Sequence, residues 1–135
     1  MSIRALPLLV FAFILYNLIV FLAGGTEALG NPIFTMKLLS GGLWSFTWGD
    51  FVLLITLFLL FVELLKSTFT STSTLVDHAL SMVVFIAVLV EFLMIPQAAT
   101  STFFLILIAC LIDVIAGYTI GIRVARRDLS IGADH

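Results

Sequence analysis

Charge is scarce in this chain. Six Lys plus Arg and eight Asp plus Glu make up 10% of 135 residues, for a formal charge of -2. That is too little and too scattered to attract nucleic acid or another anionic partner. Cysteine is nearly absent. Cys110 stands alone, which excludes an intramolecular disulfide, and its place inside an apolar run suits a small packed side chain better than a reactive thiol. Only two histidines occur, His78 and His135. A zinc site or a bis-histidine haem needs ligands facing one another at matched depth, which these two do not supply, so no metal and no cofactor are expected.

What is abundant is apolar. Apolar residues reach 62%, thirteen of them Phe, and the mean hydropathy is +1.29. Such a composition has no water-soluble surface to build, and the expected partner is a lipid bilayer. The expected fold is an all-α integral membrane protein, a single four-span domain over 1–135, with four transmembrane helices near 5–23, 50–69, 75–95 and 101–123. The first run, Ala5 to Ala23, ends without a small-x-small cleavage pattern and reads as a retained helix. The second opens at Asp50, taken as its N-cap. The third, Ala79 to Ile95, is opened by Thr74 to Asp77 with Asp77 as a cap, and closed by Pro96. Arg123, Arg126 and Arg127 are expected to stop the fourth.

The basic residues give direction. With both termini cytoplasmic, Arg4, Lys66 and the three tail arginines lie inside and Lys37 alone lies outside, five against one. This fits a multi-pass protein of a bacterial inner membrane. The hydroxyl-rich stretch Ser67 to Thr74 then reads as a solvated cytoplasmic turn. Between the first two spans, Phe34-Thr35-Met36-Lys37 and Trp44-Ser45-Phe46-Thr47-Trp48 alternate around Ser40-Gly41-Gly42, which predicts an external β-hairpin. Trp44, Phe46 and Trp48 should share one side, with Trp44 and Trp48 as anchors at the headgroup level.

Charge inside a span costs about 2.5 to 3.5 kcal/mol at mid-membrane, so each buried acid needs a partner, water or a proton. Asp113 shares a helical face with Ala109, Gly117 and Gly121, a small-residue stripe containing a GxxxG motif that lets another helix approach. The ordinary reading is an acid that bonds helices together; the functional one is a proton or cation site. Glu63 falls at nearly the depth of Asp113, and Lys66, one turn on, can neutralise either. Glu91 and Asn17 match in depth and can hydrogen-bond. If Glu91 opens outward and Asp113 inward, they make two stations for a proton relay. The Asp77-His78 pair reads as an interfacial cap with a polar neighbour.

At Leu75-Val76-Asp77-His78-Ala79-Leu80-Ser81-Met82, Ile112-Asp113-Val114-Ile115-Ala116-Gly117 and Ile122-Arg123-Val124-Ala125-Arg126-Arg127-Asp128, the chain resembles a family of small, uncharacterised four-span bacterial inner-membrane proteins. The resemblance implies the bundle and its membrane, and no activity. In size, span number and a late glycine motif the chain is also similar to the small multidrug-resistance transporters. Their essential acid lies in the first helix, where this chain has Asn17, so no residue role carries over. The expected function is a helix-packing subunit or scaffold, as a homo-oligomer or within a larger membrane complex. A proton-linked transporter or channel using Glu91 and Asp113 is the alternative. No side chains pair a nucleophile with a base, so an enzyme is not expected.

Overall fold

The computed structural model describes residues 6–68 and 73–133. Among the described residues are four helices and one hairpin: α1 (Leu9–Leu22), β1 (Pro32–Lys37), β2 (Leu43–Thr47), α2 (Trp48–Lys66), α3 (Ser73–Met94) and α4 (Ser101–Ala133), with 3-10 turns at Thr26–Gly30 and Pro96–Ala98. Three segments, Trp48–Lys66, Val76–Met94 and Ser101–Ile120, are long and apolar enough to cross a membrane. α1 is shorter than expected. Its 14 residues rise about 21 Å, against a hydrocarbon core of about 30 Å. It starts only after Pro7, and it ends at Ala23, beyond which Gly24 and Gly25 take φ of +114° and +91°. That left-handed backbone turns the chain into the Thr26–Gly30 turn, which sequence alternation did not reveal.

The hairpin forms where expected. β1 and β2 are antiparallel, pairing Phe34 with Phe46, Thr35 with Ser45 and Met36 with Trp44, and the register shifts between Pro32 and Phe34. Phe34 stacks on Phe46 at 5.3 Å and meets Trp44 edge-on at 5.4 Å, while the Thr35 and Ser45 hydroxyls bond at 2.9 Å on the other side. Trp48 departs from this face. It is the first residue of α2 and packs on Phe51 at 5.9 Å. The cause is the cap: the Thr47 hydroxyl accepts from the Asp50 N–H, and the Asp50 carboxylate accepts from the Thr47 N–H. Asp50 is thus the third residue of a capping box rather than the N-cap, and α2 gains Trp48 and Gly49.

Three further boundaries move, the first being that α2 stops at Lys66 and not near 69. α3 opens at Ser73, so Asp77 lies inside the helix and is no cap. α4 runs on through Arg123, Arg126 and Arg127 to Ala133. Arginine closes an apolar span but is a good helix former, so charge ends the hydrophobic stretch without ending the helix. Its start is fixed by Thr100, whose hydroxyl accepts from the Phe103 N–H at 3.1 Å.

α4 is the central helix. It packs on α3 along one side and α2 along the other, and α1 lies against α2 with lesser contacts to α3 and α4. The interior is apolar, with Leu9, Tyr16, Val52, Val88, Phe103 and Ile106 almost fully enclosed. The exterior is apolar too: Leu54, Leu57, Phe58 and Phe61 on α2, and Val83, Ile86, Val90 and Leu93 on α3, are exposed.

Candidate functional site: two buried polar clusters

Polar side chains gather at the two ends of this bundle. At the first end α1 and α3 begin and α2 finishes. The first turn of a helix leaves its N–H groups without intrahelical partners, and α1 is preceded by no capping side chain of its own. Glu63 fills that need from α2: its Oε1 accepts from the Leu8 N–H at 2.7 Å. Lys66, three residues on, donates from Nζ to the same Oε1 at 3.0 Å and to the Leu6 carbonyl at 2.9 Å. Its Nζ also lies 3.8 Å from Asp77 Oδ1. The i, i+3 spacing on α2 thus ties the start of α1 and the start of α3 to one lysine.

Asp113 reaches this cluster from α4, its carboxyl close to the Ser81 side chain of α3 and to Glu63, Asp77 and Lys66. Ser67, expected in a solvated turn, is buried, its hydroxyl donating to the Glu63 carbonyl at 3.1 Å. Asp77 and His78, expected at the membrane boundary, are buried as well. The reason is the earlier start of α3, which carries both one turn deeper than a cap would lie. The His78 ring is 5.0 Å from that of Tyr118 and lies over Gly117: a Cβ on that glycine would sit 2.7 Å from His78 Cε1 and 2.9 Å from Nδ1, with Ser67 Oγ at 3.5 Å. The gap in the stripe is therefore filled by a histidine and a serine side chain rather than by a neighbouring backbone. Ala109 is buried on the same helix; the surroundings of Gly121 fall outside the described residues.

Asp113→Asn keeps a hydrogen-bonding group for Ser81 and is expected to leave the unfolding transition in detergent nearly unchanged. Asp113→Leu should lower stability by roughly 1 to 2 kcal/mol, the scale of interhelical polar contacts. An unchanged transition in the Leu variant would mean that the carboxyl makes no contact of consequence.

At the other end Tyr16, wholly enclosed, donates to the Gln97 carbonyl at 2.8 Å and shares a 2.7 Å hydrogen bond with Thr100. Its ring meets Phe103 edge-on at 4.9 Å. Hydropathy alone gives Tyr16 no role, although a buried phenol needs a polar partner, and that need is the available signal. Tyr16→Phe should cost about 1 kcal/mol and loosen the Pro96–Ala98 turn, read as faster amide exchange at 97–100. Asn17 donates to the Phe13 carbonyl at 2.9 Å and stands within hydrogen-bonding reach of Glu91. Glu91 keeps one buried oxygen, Oε2, without a partner among the described residues.

Trp44 and Trp48 are both partly exposed at this end, near the hairpin but on separate elements. Among the described residues no group of three His, Cys, Asp or Glu side chains is arranged to hold a metal ion. No protein-family model, no curated protein and no solved structure matches the chain.

Proposed function

We propose that this is a small multi-pass membrane protein of a bacterial inner membrane, with both termini cytoplasmic, acting as a helix-packing subunit or scaffold of a membrane complex rather than as an enzyme. The observation that carries this reading is the apolar layer between the two polar clusters. Val88 and Ile106 are buried there, and the Thr56 hydroxyl is spent on the Val52 carbonyl of its own helix at 2.7 Å. A buried, apolar middle suits a protein that packs rather than one that conducts. The outward apolar faces of α2 and α3 suit lipid or another helix equally, since between helices in a bilayer packing and polar contacts drive association.

Purification in mild detergent, with crosslinking and identification of what comes along, tests it. A stoichiometric partner or a defined homo-oligomer is expected; a monomer that crosslinks to nothing in intact cells sinks the scaffold reading. The topology is tested by reporters: fusions within 96–102 should read outside, and fusions within 69–72 should read inside.

One observation favours a second reading, a proton-linked transporter or channel using Glu91 and Asp113. The unpartnered Glu91 oxygen is a buried acceptor that a passing proton could use. Proton flux in liposomes that is lost on Glu91→Gln would support this reading; absence of flux for the parent protein would end it.

A further inference from the structure

Among the described residues the first polar cluster sets three acids, Glu63, Asp77 and Asp113, against one cation, Lys66. Lys66 and Glu63 make one ion pair at 3.0 Å, and the Leu8 N–H adds to the hold on that carboxylate. Asp77 and Asp113 are then left over, and among the described residues Lys66 is the cation that faces them. Both aspartates are over nine-tenths buried, at 7% and 4% exposure. Asp77 turns Oδ1 into the cluster at 3.8 Å from Lys66, yet among the described residues that oxygen has no hydrogen-bond partner, and neither has Nε2 of His78, itself 6% exposed. An ionised carboxyl withdrawn from water without a cation is strongly disfavoured, and two such groups side by side disfavour one another further.

The facing groups come from every helix. α2 contributes Glu63, Lys66 and the Ser67 hydroxyl, and α3 contributes Asp77, His78 and Ser81. α4 contributes Asp113, with the Cys110 thiol beside it and Tyr118 against His78. The segment leading into α1 offers, among the described residues, backbone groups here, the Leu6 carbonyl and the Leu8 N–H.

We propose that the Glu63–Lys66–Asp77–Asp113 cluster is a proton-binding site, loaded with two protons from the aqueous phase at the Lys66 end, and that this load keeps α2 and α3 seated on α4. Lys66 neutralises one carboxylate. Each remaining carboxyl accounts for one proton, bound as O–H on the acid itself or as N–H on His78 with the carboxylate beside it. No other bond forms or breaks. The entry is the Lys66 side chain, 19% exposed where Glu63 is 2%. Loss of the protons places uncompensated negative charges at the point where three helices meet, and repulsion there separates their ends. The site faces one side of the membrane only and needs no path through the apolar layer.

The test is infrared spectroscopy of the full chain in phosphatidylcholine vesicles, in which a protonated carboxyl gives a C=O band distinct from that of a carboxylate. At about pH 7 the band is expected in the parent protein, smaller in Asp113→Asn and in Asp77→Asn. It should fall by about tenfold by about pH 10, in steps that belong to the cluster rather than to one residue. A band that neither substitution diminishes, or one that pH leaves constant, overturns the proposal. A second measurement needs no variant: a hydrophobic carbodiimide reacts with protonated carboxyls, and peptide mapping should find the adduct on Asp77 or Asp113 at neutral pH and lose it as pH rises. No adduct on either at neutral pH counts against the site even if the variants do not fold.

Discussion

Lys66→Met should lower the stability of the bundle by about 3 to 5 kcal/mol, the usual result of removing one partner from a buried ion pair. The amine serves Glu63 at 3.0 Å, the Leu6 carbonyl at 2.9 Å and Asp77 at 3.8 Å. Methionine keeps most of the stem and none of the charge, so the loss isolates the electrostatic part. Adding Glu63→Gln to Lys66→Met should recover a good part of it, because the stranded carboxylate goes with it. The measurement is unfolding in mixed micelles, parent against single and double variants. A loss below about 1 kcal/mol, the scale of an exposed pair, would show that the lysine is solvated rather than built into the cluster.

Gly117→Ala should cost about 1 to 3 kcal/mol, the range for overpacking a filled interior. Its methyl would meet the His78 ring at 2.7 Å and 2.9 Å, and Tyr118 flanks that ring. The ring therefore has to tilt or α3 has to withdraw from α4. Two further variants separate the causes. His78→Ala removes the obstacle, so Gly117→Ala introduced into that background should cost less than half as much. If the cost is the same with and without His78, the glycine serves the backbone of α4 and not the imidazole.

Much of this architecture was legible in the residues. Long apolar runs gave the helices, and alternation around Ser40-Gly41-Gly42 gave the hairpin at Pro32–Lys37 and Leu43–Thr47. The i, i+3 spacing of Glu63 and Lys66 pointed to a pair that the structure brings to 3.0 Å. What was not legible depended on neighbours distant in sequence. Asp77 carries the local pattern of a cap, and only the start of α3 at Ser73 turns it into a buried group. Trp48 continues the strand alternation, but the Thr47–Asp50 capping box claims it for α2. Gly117 sits on a helix-packing stripe, and which side chain fills its gap is decided by α3. Hydropathy likewise sees the arginines of α4 as an end, although the backbone continues past them.

α1 is fastened at both ends by residues made long after it. Its first turn is tied to Glu63, 55 residues on, and Tyr16 is tied to Thr100, 84 residues on. At the ribosomal pace of ~5–20 residues per second, the second tie becomes available on the order of 4 to 17 s after Tyr16 is added. Through that interval the growing chain holds a 14-residue helix whose phenol is unanswered, and until Glu63 is made, 55 residues on, its Leu8 N–H is unanswered too. The order of synthesis therefore leaves the first helix unfinished until Thr100 is made, and a chain released before Thr100 should be recognised as incomplete and degraded.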